Sequence, residues 1–189
     1  MRQYNTDKMS KVSPEIKKEL GLVQVYTGNG KGKTTACLGL AFRATGRGLN
    51  VLMIQFLKPP ENYGEHIAAE KVNNFTILPL GLDHMVTNVT REKDIRIAKE
   101  TLQRAKEEIY SEKYDLVILD EINNTMCWKL LTPKEVIEVL EGRPKNVEIV
   151  LSGRGAPEEI IEYADLVTEM MLIKHPFDRG IRARKGIEY

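Results

Sequence analysis

A chain of 189 residues, 42% hydrophobic and 29% charged, has the size and mix of one globular domain that buries a core without disulfides or structural metal. Its 28 basic and 27 acidic side chains leave a formal charge of +1, which excludes a global field for nucleic acid or an anionic membrane. Phosphate affinity, if any, is therefore local. Cys37 and Cys127 form neither a disulfide framework nor a metal-ligand spacing; each is expected as a small core residue, in a reducing cytosol.

Residues 1–12 are polar and mixed in charge, with no apolar signal segment. Ser13-Pro14-Glu15 reads as a helix start with proline at the first helical position, and the helix stops at Gly21. Residues 1–20 are thus expected as an arm, and residues 21–189 as a single catalytic domain. Residues 23–27, VQVYT, form a β-type run that feeds a glycine-studded loop, GNGKGKTT. Backbone N–H groups of Gly28, Asn29, Gly30, Lys31 and Gly32 can curl around phosphate oxygens, and the positive end of the following helix faces the same anion. Lys33 adds a mobile charge and Thr34 offers its hydroxyl to magnesium, beside Thr35. The usual loop pattern is G-x-x-x-x-G-K-[ST]. Here Thr27 takes its first position, with Gly28 and Gly30 supplying flexibility just inside it.

Residues 35–47 predict a buried helix packed on a sheet, ending at Gly46 and Gly48, and residues 50–57 a strand buried on both faces and closed by Pro59 and Pro60. A short helix over 65–72 and a strand over 75–80 precede a loop at 81–89. From Arg91, apolar Ile95, Ala98, Leu102, Ala105 and Ile109 recur at helical spacing. Residues 114–119 form another apolar strand, which delivers Asp120 and Glu121 at its end. Thr132-Pro133-Lys134-Glu135 carries a capping box for a helix that stops near Gly142. Strands at 147–151 and 166–172 flank a helix from Pro157, and the basic tail from Lys174 has no clear period. No run approaches the roughly 18 apolar residues of a membrane span, so no membrane partner is expected.

Strands alternating with helices define an α/β three-layer sandwich with a mostly parallel sheet, in which ligands bind outside the carboxyl ends of the strands. The phosphate loop and the Asp120–Glu121 pair both belong at that edge, although far apart in sequence. VILDE at 117–121 matches the apolar strand ending in carboxylate of P-loop nucleotide-binding proteins, RecA-like ones included, and one of Asp120 and Glu121 should reach a magnesium ion. Two chemistries fit these motifs: hydrolysis of ATP, with Glu121 orienting water, or attack on ATP by another nucleophile.

Several separated stretches resemble the P-loop type of ATP:corrinoid adenosyltransferase: VYTGNGKGKTTA, RATGRGLNV, QFLK, VILDE, SGRG and the terminal IKHPFDRGIRARKGIEY. The last carries the most weight, because a general ATPase or small kinase has no reason for such a tail. The resemblance implies transfer of the 5′-deoxyadenosyl group of ATP to the cobalt(I) of a reduced corrinoid, with release of triphosphate. A non-catalytic nucleotide or corrinoid carrier is the further alternative. Cobalt(I) is the nucleophile, so the protein positions carbon 5′ and stabilises charge on the leaving group. By resemblance, residues Gly28 to Thr35 bind a triphosphate reversed relative to ordinary P-loop enzymes, Lys33, Thr34 and Glu121 act in catalysis, Thr34 with Glu121 holds magnesium, and Arg43 reaches the nucleotide. The family also implies a homodimer whose arm closes the partner's corrinoid site, and a flavoprotein reductase as electron donor.

One departure concerns the corrinoid loop. Related members carry a phenylalanine and a tryptophan two positions apart, which shield cobalt from lower axial ligands; this chain has Leu82 and His84 at the corresponding places. Leu82 can still cover a face. His84, like His66 and His175, reads by default as a partly solvated histidine. If shielding is the loop's task, His84→Trp should raise turnover measured from cobalt(II), and unchanged or lower turnover counts against it.

Overall fold

The computed structural model describes residues 14–59, 63–81 and 92–189. Leu82 and His84, Pro60 and the first thirteen positions of the arm lie outside them. Six short strands build one sheet: β1 (Val23–Thr27), β2 (Val51–Gln55), β3 (Phe75–Pro79), β4 (Leu116–Asp120), β5 (Glu148–Ser152) and β6 (Leu166–Glu169). Their order is β3-β2-β4-β5-β1-β6 and every pairing is parallel. Every residue of β2, β4 and β5 is buried, as continuous aliphatic runs such as LVILD require in a sheet covered on both faces.

Alternation along the strands divides the core. Val23 and Val25, Leu52 and Ile54, Val117 and Leu119, and Ile149 and Leu151 point to one face. There they meet α4 (Glu92–Tyr110) through Ala98, Leu102, Ala105 and Ile109, α6 (Pro133–Glu141) through Val136, Val139 and Leu140, and α7 (Glu158–Tyr163) through Ile160. On the other face Val51, Met53, Leu116, Ile118 and Val150 pack against Cys37, Ala41 and Ala44 of α2 (Lys33–Thr45). Helix α3 (Gly64–Ala69) covers the carboxyl end of β2. Helix α5 (Ile122–Cys127) follows Glu121 directly. The expected three-layer α/β sandwich is therefore present.

Three details differ from expectation. Helix α2 is not buried all round: its small residues face the sheet, while Phe42 is 77% exposed. Strand β6 stops at Glu169 instead of running to residue 172, because Met170 turns to accept the Gly30 N–H at 2.7 Å; all four of its residues are exposed, so the sheet is uncovered at this edge. Of the two cysteines, Cys37 is in the core but Cys127, at the end of α5, is exposed.

Helix α1 (Pro14–Lys18) docks at the opposite end of the sheet from the phosphate loop. Lys17 Nζ lies 2.6 Å from Asp115 Oδ1, just ahead of β4, and Ile16 and Leu20 pack on the α2 side of the core. Among the described residues no helix is long and apolar enough to cross a membrane.

The capping box at α6 closes as its sequence dictates. Thr132 accepts the Glu135 N–H at 3.3 Å through its hydroxyl, and Glu135 Oε2 accepts the Thr132 N–H at 2.8 Å. Thr132→Ala should therefore cost about 1 kcal/mol. Urea unfolding checks this: the midpoint falls and the slope stays constant.

Candidate active site

Beyond β1 the chain adopts conformations that side chains resist. Gly28 has φ 94° and Gly32 φ 121°, and a Cβ at Gly28 would come within 2.5 Å of the Met170 carbonyl oxygen. The permissive position is thus shifted one residue past the usual pattern. Thr27 can then serve the strand: it is buried, and its hydroxyl accepts the Ala156 N–H at 3.2 Å, tying the loop to the β5–α7 connection.

Lys33 folds back over the loop, donating to the carbonyls of Gly28 and Gly30, both at 2.7 Å. Burial, and then the charge of Arg154, holds its pKa below the ordinary lysine value. Thr34 Oγ1 donates to Asp120 Oδ1 at 3.0 Å, so the helix start and the end of β4 are in direct contact.

Asp120 has no exposed surface and is fully engaged. Ser152 Oγ donates to its Oδ1 at 2.6 Å, while Gln55 Nε2 at 3.4 Å and Lys58 Nζ at 3.5 Å face its Oδ2. Glu121 differs. Its backbone is left-handed, φ 67°, an unfavourable conformation for a non-glycine residue, held by donation of its N–H to Ser152 Oγ at 3.0 Å. This turn sends the carboxylate into the cavity rather than into the sheet. Burial, and then the neighbouring Asp120, pushes its pKa up to about 7, against the pull of Lys58, Lys33 and Arg154.

These groups surround a cavity of about 510 Å³ at the carboxyl end of the sheet. Of the residues proposed from sequence, Gly30, Lys31, Gly32, Lys33, Thr34, Thr35 and Glu121 line it. Asp120 lies just beneath, bonded to the lining residues Thr34 and Ser152. Gly28 and Asn29 belong to the loop but not to the wall. Arg43 is exposed on α2 and is not among the lining residues. The donors at the Thr34–Asp120–Glu121 corner are all oxygens, which suits a magnesium ion shared with phosphate oxygens and water.

Other lining residues went unassigned in the sequence. Lys58 and Glu65 form an ion pair at 2.9 Å, and Asn124 Oδ1 accepts the Arg154 N–H at 2.7 Å. Ser152 and Arg154 sit in the SGRG stretch and Lys58 in QFLK, both at carboxyl ends of strands, which was the available signal. Both remaining histidines are half-buried, as expected, and each has a defined partner. His66 lies on α3 with Nε2 2.7 Å from Gln55 Oε1; His175 lines the cavity and caps the 3-10 helix Pro176–Arg179, its Nδ1 accepting the Phe177 N–H at 3.1 Å. The tail folds back onto the loop. Glu188 Oε1 receives Lys31 at 2.7 Å and Arg184 at 3.1 Å, and those two bonds, that from Arg184 first, hold its carboxyl at about 2.

A parallel sheet with a glycine loop and lysine after β1, a carboxylate after β4, and β5 between them defines a P-loop nucleotide-binding protein. A solved structure of flagellar accessory protein FlaH from Methanocaldococcus jannaschii has a similar fold, with TM-score 0.55 at 11% identity over 79% of this chain and 71% of that one. Within that class, residues 19–189 match the family described as ATP:corrinoid adenosyltransferase BtuR/CobO/CobP, and the chain belongs to it. A "Corrinoid adenosyltransferase" of Sinorhizobium sp is 41% identical over 176 residues, 90% of this chain and 81% of that protein. "Corrinoid adenosyltransferase CobA" of Salmonella typhimurium is 35% identical over 189 residues, covering 100% of this chain and 95% of its own.

The raised Glu121 pKa has a consequence for stability. An unfolded chain keeps the ordinary carboxylate value of 4.5, so between there and about 7 the folded state binds the extra proton and stability falls as pH rises. Glu121→Gln, which cannot ionise, should raise Tm over the parent at about pH 8, and the gain should vanish near about pH 5. Thermal unfolding of nucleotide-free protein reads this directly; an equal difference at both pH values would rule out the buried-charge account.

Proposed function

We infer that this chain transfers the 5′-deoxyadenosyl group of ATP to the cobalt(I) of a reduced corrinoid and releases triphosphate, in adenosylcobalamin biosynthesis or corrinoid salvage. One observation carries this reading beyond family membership: the phosphate loop, the Glu121 carboxylate after β4 and the family's C-terminal tail all border a single cavity. The cobalt's electron pair forms the bond to carbon 5′ as the bond from that carbon to the triphosphate oxygen breaks, and the oxygen leaves with the pair of the broken bond. No side chain need act as nucleophile.

The residues of this chain position and stabilise charge. Lys33 leaves the carbonyls of Gly28 and Gly30 for the triphosphate, and Arg154 faces the same anion from the β5–α7 connection. Thr34, Asp120 and Glu121 would hold magnesium, which when bound neutralises charge on the leaving group. We assign Gly28 to Thr35 to a reversed triphosphate. Gly30 favours that departure from ordinary use, because its N–H is committed to Met170 and not to the loop interior. Arg43, outside the wall, is given no part.

We further propose a homodimer, with residues 1–20 as an arm, anchored on its own domain through Lys17 and Leu20, that serves the partner's corrinoid site, and residues 21–189 as the catalytic domain. The exposed apolar run of Met171, Ile173 and Phe177 beside the uncovered β6 edge supports such an interface. Leu82 shields one face of the corrinoid, and a flavoprotein reductase delivers the electron. The two free cysteines suit the cytoplasm.

Magnesium-ATP and chemically reduced cob(I)alamin, mixed with the protein in anoxic buffer, test the assignment. A cobalt–carbon product and triphosphate should form in equal amounts, and Lys33→Ala should slow both by about 100-fold. Orthophosphate with no corrinoid change would make the protein an ATPase; tight binding of both substrates without turnover would make it a carrier.

A further inference from the structure

Lys58 is a cation of the cavity that belongs neither to the phosphate loop nor to the tail. It follows β2 by three residues, and its backbone carbonyl accepts the Gly81 N–H at 3.0 Å. A Cβ at Gly81 would collide with the Lys58 backbone, so only glycine permits this approach. The side chain is 18% exposed, and among the described residues its ammonium faces Glu65 Oε1 at 2.9 Å, Asp120 Oδ2 at 3.5 Å and the Tyr63 ring centroid at 5.5 Å. Burial opposes the charge, but Asp120 and then Glu65 outweigh it and the lysine stays protonated.

The two oxygens of Asp120 are thus divided. Oδ1 takes the hydroxyls of Thr34 and Ser152, whereas Oδ2 takes Gln55 and Lys58. A buried carboxylate needs a compensating charge, and before any metal arrives Lys58 supplies it. An ammonium and a divalent cation both close to one carboxylate repel each other. Lys58 has somewhere to go, because its shorter contact is to Glu65, which is itself at the cavity wall.

We propose that Lys58 is the resident counter-cation of Asp120: it yields that carboxylate to the divalent metal, stays on Glu65, and then faces the triphosphate. This rests on the reading that Thr34, Asp120 and Glu121 hold the metal. Lys58 thus acts on the metal through Asp120 and on the triphosphate by its own charge. Its removal has opposite effects on two ligands, which a plain structural ion pair would not produce.

Two probes suffice: Mn²⁺ without nucleotide, followed by electron paramagnetic resonance of the free ion, and inorganic tripolyphosphate with magnesium, followed by calorimetry. Lys58→Met should bind Mn²⁺ about tenfold more tightly and tripolyphosphate about tenfold more weakly, while Lys58→Arg stays near the parent in both. Glu65→Gln leaves Lys58 leaning on Asp120 alone, so its Mn²⁺ affinity should fall several-fold; this keeps the test open if Lys58→Met does not fold. Both affinities unchanged in Lys58→Met, with only Tm lowered, overturn the proposal and leave Lys58 as a structural pair. Asp120→Asn separates the two levels: if the parent binds Mn²⁺ and Asp120→Asn does not, a failure belongs to Lys58 alone. If Asp120→Asn binds as the parent does, the metal reading itself is wrong and the Lys58 proposal falls with it.

Discussion

The carboxylate of Asp120, fully buried at the carboxyl end of the sheet, is the constraint around which the molecule is arranged. A charge taken out of water needs partners on every side, and an isolated one is prohibitively costly. Its four partners come from three places in the chain: Gln55 and Lys58 at the end of β2, Thr34 at the start of α2, and Ser152 at the end of β5. The central strands therefore have to finish level with one another. Ser152 links this carboxylate to the Glu121 N–H, so the unfavourable turn that aims Glu121 into the cavity is supported by the same group.

Much of this is legible in the sequence. The aliphatic runs of β2, β4 and β5 announce a sheet covered on both faces, and glycine spacing with Lys33 and Thr34 announces the phosphate loop. The capping box at Thr132 needed only four residues to be read, because both of its bonds are local. What could not be read depends on contacts across the chain. Helix α5, INNTMC, is too short for a readable period: Ile122 and Met126 alone anchor it in the core, and its start is set by the left-handed turn at Glu121 that Ser152 holds. The early end of β6 depends on Gly30, some 140 residues away in sequence.

Thr27 shows how a departure from a pattern can be compensated locally. Its hydroxyl holds the β5–α7 connection, and the backbone freedom usually placed at that position is found at Gly28. Such a shift changes which amides point inward. The loop is consequently secured from outside, by Met170, and capped from within by Lys33. The same division separates Asp120 and Glu121: adjacent in sequence, one lies just beneath the wall, against Thr34, and the other stands in it.

The cavity wall carries Lys31, Lys33, Lys58 and Arg154 against Glu65, Glu121 and Glu188, with Asp120 directly behind, so four basic groups meet four acidic ones. Seen from solvent the mouth is nearly neutral, and its charges cancel beyond a Debye length, about 8 Å at physiological ionic strength. A polyanionic nucleotide is therefore not drawn in from afar. Its capture is decided at contact range, by the loop and the basic side chains of the wall, and association is correspondingly insensitive to salt.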